Sequence, residues 1–236
     1  VTKVLILGAN GQIARLVARA LREDGSAKMT LFLRDATRAL ATAGDGTRVY
    51  EGDVLDPIML EAAMDGQDLV YASLSGAVDR QAEAILAAMA RTGVGRLIFG
   101  SAMGVHDEVP GMSLGSGFAP HRRAAALIEE AGIAHTLLRP AWLSDAEEIA
   151  YGVTHREDGF GNPDEPVSRR SVADLAARLC LNPDRAVRQS LGIHRATDPA
   201  RPSCTIGGCE AADPGMPHGA AVKTSLEAGR KAHHRS

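Results

Sequence analysis

The sequence predicts a doubly wound α/β fold, a parallel sheet with helices packed on both faces. Three observations carry that expectation. Apolar runs of strand length alternate with stretches of helical spacing as far as about residue 195, the pattern that βαβ crossovers impose. The runs VLIL and LIF are apolar at every position, as strands buried on both faces must be. The first run passes directly into Gly8-Ala9-Asn10-Gly11-Gln12-Ile13-Ala14, a small-residue turn that lets a helix start hard against the end of a strand.

In chain order, strands are expected at Lys3–Leu7, Lys28–Leu33, Arg48–Glu51, Leu69–Leu74, Arg96–Gly100 and His135–Leu138. Between most of them lie helices. Gly11–Leu21 puts Ile13, Leu16, Val17 and Leu21 on one face, the spacing of an amphipathic helix. Ile58–Met64 is short, Val78–Arg91 is rich in alanine, and His121–Glu130 and Ser171–Leu181 repeat the pattern. Ser171 with Asp174 reads as the cap of the last helix.

The chain has 236 residues and 45% hydrophobic composition, enough for one sizeable core. A formal charge of −3 and 3% aromatic content give no basis for a nucleic-acid partner. No apolar run approaches the length of a membrane helix and no signal peptide is visible, so a cytoplasmic protein without membrane contact is expected. Residues 1–196 form one expected domain, with the substrate-side elements mainly within 103–120 and 140–196. From Thr197 the chain is rich in proline and glycine and poor in bulky apolar residues, which predicts a flexible tail over 197–236. Cys204 and Cys209 stand too far apart for an ordinary zinc pair, and no metal is expected.

A strand that turns at once into a helix leaves the first helical N–H groups unpaired, with the positive end of the dipole behind them. That arrangement binds phosphate. Gly8 permits the tight turn, Gly11 leaves room for a pyrophosphate to approach, and Ala14 lets the helix pack on the strand. Asn10, Gln12 and Ile13 complete the turn and supply its N–H groups. A purely structural turn is the competing reading.

The second strand ends in Arg34, 23 residues past Gly11, where the adenosine ribose of a dinucleotide would lie. An acidic residue there accepts from the 2′-hydroxyl of NAD, whereas an arginine pairs with the 2′-phosphate of NADP. Arg34 therefore favours NADP(H), with Arg38 on a second side of the phosphate. Asp35 keeps NAD(H) open, and Arg38 can equally be a solvated surface charge.

Taken in order, "VLILGANGQIA", "LFLRDATR", "YEGDVLD", "RLIFGSAMGVHDEVPG" and "AHTLLRPAWL" resemble the atypical short-chain dehydrogenase/reductases, in particular the NmrA-like NAD(P)H-binding group. The resemblance covers roughly residues 3–195 and rests on order and spacing. It implies a Rossmann-type fold. It also implies that Asp53 and Val54 sit by the adenine, that Ser73, Leu74 and Ser75 line the cofactor, and that Pro140, Ala141 and Trp142 approach the nicotinamide.

Reductases of this kind use a serine, a tyrosine as proton donor, and a lysine one helical turn later that lowers the tyrosine's pKa. Ser101 fits the serine position and can also touch the cofactor. The helix that should carry Tyr-x-x-x-Lys reads "FAPHRRAAALIEEAG" and contains neither. His121 is the titrating donor it offers, against the plainer reading of a solvent-exposed histidine at a helix start. His106 and Asp107 can reach the same cleft or simply belong to a polar loop. Two functional classes stay open. One is an NADP(H)-dependent reductase of a small carbonyl or quinone-like substrate. The other is a non-catalytic NADP(H)-binding sensor acting on a regulatory protein partner.

Overall fold

A computed structural model describes residues 1–37, 43–44, 46–112 and 115–196. An eight-stranded sheet carries the architecture. Its strands are β1 (Thr2–Leu7), β2 (Ala27–Leu33), β3 (Arg48–Glu51), β4 (Leu69–Ala72), β5 (Arg96–Gly100), β6 (Ala134–Pro140), β8 (Tyr151–Thr154) and β10 (Gln189–Arg195), in the spatial order β3-β2-β1-β4-β5-β6-β10-β8. Every pairing is parallel except that of β8 with β10. β7 (Leu143–Ser144) and β9 (Val167–Ser168) form a separate two-residue ladder.

The order reverses between β1 and β4. Crossovers leave β1 in opposite directions there and open a crevice at the carboxyl ends of the strands, where ligands bind in such sheets. Helices α1 (Gln12–Asp24) and α5 (Arg169–Leu181) cover one face; α2 (Pro57–Met64), α3 (Val78–Thr92) and α4 (Ala119–Glu130) cover the other. The strands alternate between two cores. Ile6, Ile98 and Leu138 face the α1–α5 layer, while Leu5, Phe99 and Leu137 face the α2–α4 layer.

Local chemistry fixes the helix ends. Asp56 accepts from the backbone N–H groups of Ile58 and Met59 at 3.0 and 3.3 Å, with Pro57 in the first helical position; this is the side-chain cap that offsets orphan donors. The cap of α5 differs from expectation. Ser168 accepts from Ser171 N–H at 3.0 Å and the helix starts at Arg169, so Ser171 lies inside the first turn. Asp174 instead accepts from the Tyr151 hydroxyl at 2.8 Å.

The six expected strands are present, the fourth ending at Ala72 rather than Leu74. β7, β8, β9 and β10 are the omissions, and β10 is the longest of them. Its sequence QSLGIHR carries two large apolar residues, Leu191 and Ile193, both fully buried, among polar ones. Ser190 and His194 are buried there too, held by hydrogen bonds rather than apolar contact. Among the described residues no helix is long and apolar enough to cross a membrane.

Candidate functional site

The ends of β1, β2, β3 and β4 enclose a cleft of about 380 Å³ at the reversal point. Its floor is the Gly8–Gly11 turn. Gly8 has φ +74°, and a Cβ there would lie 2.3 Å from the Ser73 carbonyl oxygen. Glycine is therefore required twice, for the left-handed backbone and for contact with the β4 loop. Gly8 and Ala9 N–H donate to the Phe32 carbonyl at 3.0 and 3.2 Å, and Gly11 N–H donates to Gly8 O at 2.8 Å.

Gly11 has a different role. Its φ of −63° and ψ of 150° suit any residue, although a Cβ would stand 3.2 Å from Gly8 O, close enough that the turn must yield by a few tenths of an ångström. What a larger residue would take is space in the cleft. The first intrahelical bond of α1 runs from Arg15 N–H to Gly11 O at 2.9 Å. The N–H groups before it carry the helix's partial positive charge. No side chain caps this end, and its first turn holds no acidic residue.

Gly8, Asn10, Gly11, Arg34, Asp53, Val54, Ser73, Leu74 and Ser75 are brought together in this cleft. The Asn10 side-chain amide donates to Asp35 O at 2.9 Å and ties the turn to the end of β2. Asp35 is committed locally, its Oδ1 accepting from Thr37 N–H at 3.0 Å and from the Thr37 hydroxyl. Arg34 is exposed on the cleft wall with no hydrogen-bond or ion-pair partner among the described residues. Asp53 Oδ1 accepts from Leu55 N–H at 2.9 Å. Arg38 lies outside the described residues. Phe32, Gly52 and Gln81 also line the cleft and carry no signal in the sequence. A Cβ on Gly52 would meet Phe32 and Met59 at 3.0 and 3.1 Å.

The other sequence-derived residues lie beyond these walls. Gln12 borders a groove on the far side of α1, and Ile13 packs on the core. Ser101 follows β5, its N–H donating to Leu138 O at 2.7 Å, and its hydroxyl is shielded from solvent with no partner. Pro140 ends the neighbouring β6 and accepts from Met103 N–H at 3.1 Å. Ala141 turns its side chain into the core and donates its N–H to Ile193 O at 2.8 Å. Trp142 is 52% exposed.

His121 occupies the first turn of α4, half-buried, its ring centroid 6.0 Å from that of Phe118. Burial holds its imidazole pKa below the ordinary histidine value. Its Nδ1 is shielded and unpaired. The doubly protonated ring would place a donor there with no acceptor, which reinforces the neutral form.

A buried ionic cluster anchors the loop after β5. Arg139 and Glu108 are 0% and 2% exposed and form an ion pair. Arg139 also donates to Ser190 O at 3.0 Å, and Glu108 accepts from Gly104 and His106 N–H at 2.9 and 2.8 Å. Burial alone would raise the Glu108 pKa; backbone N–H donors and Arg139 outweigh it and hold the carboxyl below its ordinary value. His106 bonds Ser190 Oγ at 2.8 Å and lies 3.6 Å from Glu129, while Asp107 pairs with Arg122. Both residues thus serve as loop anchors.

A family model described as NAD(P)H-binding matches residues 8–183, from the glycine turn to just past α5. The chain belongs to this NAD(P)H-binding family. Its fold is similar to that of a Rossmann-fold NAD(P)-binding family protein from Shigella flexneri, at 39% identity and TM-score 0.73 over 83% of this chain and 94% of that one. A short-chain dehydrogenase/reductase from Veillonella parvula DSM 2008, solved in complex with NADP, is similar at 25% identity and TM-score 0.73, over 83% and 95% of the two chains. Among curated proteins, the NAD(P)H azoreductase of Xenophilus azovorans is 27% identical over 74% of this chain and 60% of its own length. Quinone oxidoreductase 2 of Escherichia coli K12 is 26% identical over 60% and 49%. The chain thus spans about half to three-fifths of the length of these two relatives.

Proposed function

We propose that this protein is an NADP(H)-dependent reductase that transfers a hydride to a small carbonyl or quinone-like substrate. The observation that carries the reading is the pairing of the uncapped α1 turn with Arg34, a cation without a partner among the described residues on the same cleft. The turn offers backbone N–H groups to a pyrophosphate. Arg34 offers a charged fork to a 2′-phosphate, while Asp35 is engaged with Thr37 and is a poor ribose acceptor. The cradle fits a dinucleotide in a second respect: a side chain at Gly11 would fill the space that a pyrophosphate needs.

The bound cofactor supplies the hydride. The protein's own part is to seat it along the sheet edge, from Arg34 through the glycine turn to Ser101 and the Pro140–Trp142 segment, with segments 103–120 and 140–196 receiving the substrate. Ser101 orients the substrate oxygen, and His121 delivers a proton when charged. Because His121 favours its neutral form, the reading selects substrates that need little help from a protein acid. A quinone is one, since its reduced oxygen can take the proton from water. The azoreductase and quinone oxidoreductase names of the two curated relatives support that substrate class. The absence of Tyr-x-x-x-Lys from α4 supports the second reading, a non-catalytic NADP(H) sensor. Cys180, the free cysteine among the described residues, is buried as a thiol, which accords with a reducing compartment such as the cytoplasm.

NADPH consumption against a panel of quinones, azo compounds and aldehydes tests the proposal. Turnover with quinones or azo compounds is expected. Tight NADPH binding without turnover of any of them would overturn the reductase reading and leave the sensor.

A further inference from the structure

A second cavity, of about 710 Å³, opens at the amino ends of the strands, the opposite end of the sheet from the dinucleotide cleft. Lys3, Lys28 and Arg48 line it, all exposed, near the starts of β1, β2 and β3. The parallel register sets Lys3 beside Lys28, and Arg48 beside Thr30. Residues in register share a face of the sheet, as do residues two apart in one strand, so these cations and Thr30 lie on the same face. Neighbouring strands stand about 4.8 Å apart and two residues of strand span about 6.7 Å, which gathers the group within the length of one small ligand. None of the three cations has an ion pair among the described residues, and no carboxylate among those residues lines the cavity. The Asp68 carboxylate, outside the lining, accepts from the Lys3 backbone N–H at 2.7 Å.

The same cavity has a buried polar floor. Gln67, between α2 and β4, is 6% exposed, and Thr30 is 2% exposed. The Gln67 side-chain amide donates to Thr30 Oγ1 at 3.0 Å and to Ala63 O at 3.3 Å. Its carbonyl oxygen is shielded from solvent and accepts from nothing among the described residues. A buried acceptor left unmade costs free energy that a correctly placed donor returns. Having accepted the amide bond, Thr30 keeps its own O–H to donate. The pair therefore suits a group that gives a proton to Gln67 and takes one from Thr30, and an alcohol hydroxyl does both. The cations at the mouth suit concentrated negative charge, which a phosphate monoester carries. The volume is that of a small-molecule site and exceeds what a bare ion needs. We propose that this cavity binds a phosphorylated polyol, such as a sugar phosphate. Its phosphate rests on Lys3, Lys28 and Arg48, and a hydroxyl lies between Gln67 and Thr30.

Calorimetric titration of ribose 5-phosphate and of inorganic phosphate into wild type, Gln67→Leu, Arg48→Ala and Gly11→Val, with no nicotinamide present, tests the assignment. Melting temperatures are recorded for each protein. The wild type is expected to bind ribose 5-phosphate about tenfold tighter than inorganic phosphate, the size of one buried hydrogen bond. Gln67→Leu should bring the two within about twofold by weakening ribose 5-phosphate alone. Arg48→Ala removes an exposed side chain with no ion pair to lose, and should weaken both probes about tenfold with the melting temperature unchanged. That variant carries the test if Gln67→Leu fails to fold. Gly11→Val should leave both affinities as they are. A wild type that binds neither probe overturns the proposal, and so do equal affinities for the two probes in the wild type. Binding lost in Gly11→Val but kept in Arg48→Ala also overturns it, by putting the phosphate on the glycine turn.

Discussion

The two halves of the sheet edge are built on opposite principles. Around β1–β4 the backbone and side chains are left open: helix N–H groups without a cap, Arg34 without a partner among the described residues, and Gln81 with an unmet acceptor. Around β5–β10 the charged groups are paired with one another, Arg139, Glu108, His106, Ser190 and Glu129 being joined in one network, although the Ser101 hydroxyl and His121 Nδ1 there also lack partners among the described residues. Open groups await a ligand, whereas closed ones hold a loop. The first half is left open to a charged ligand, and the second fixes the shape of a loop.

The comparison can be broken first at its closed side. Arg139→Met leaves Glu108 as a buried carboxylate without its cation, and breaking such a pair costs about 3–5 kcal/mol. Denaturant unfolding should show that loss; a change under about 1 kcal/mol would mean that water reaches the pair and the network is not closed. Gly8→Ala comes next. Its Cβ would stand 2.3 Å from Ser73 O at φ +74°, and strain with steric displacement should cost about 2–3 kcal/mol, or a melting temperature lower by roughly 4–12 °C. An unchanged melting temperature would show that the β1 and β4 loops separate freely.

On the open side, Arg34→Ala should weaken NADPH about ten- to hundredfold and leave NADH nearly unchanged, as loss of one charge-assisted contact predicts. Equal losses for both nucleotides would make Arg34 structural. The smallest effect is expected at His121. The charged ring is the acid, so its contribution falls as pH rises through a pKa that burial has already lowered. His121→Ala should therefore cost little turnover at pH 7.5 and more near pH 5.5, read from paired pH–rate profiles. A constant deficit across that range would assign the ring to packing.

Much of this was legible in the sequence because it depends on short-range rules. A glycine at φ +74° and a small-residue turn between an apolar run and an amphipathic helix are local features, and so is Arg34 at a strand end. β10 was not legible. Its burial depends on β6 beside it and on hydrogen bonds from Ser190 and His194, not on an apolar run. His106 and Asp107 resemble site residues in sequence and become anchors once Ser190, Glu129 and Arg122 arrive from distant segments. Gln81 falls in the apolar spacing of Val78, Ile85 and Ala88 on an alanine-rich helix, and its amide finds Ser75 O only once the β4 loop has folded beside it.

The central claim is that the Gly8–Gly11 turn seats a dinucleotide. Gly11 adopts a conformation open to any residue, but a Cβ would stand 3.2 Å from Gly8 O, a tight contact to which the turn must yield by a few tenths of an ångström, so Gly11→Val tests the ligand's space when read beside its own melting temperature. Fluorescence titration of NADPH into wild type and Gly11→Val, with melting temperatures recorded for both, is the direct measurement. The account predicts tight binding to the wild type and none to a variant that melts within a few degrees of it. Equal affinity in the two proteins would contradict it.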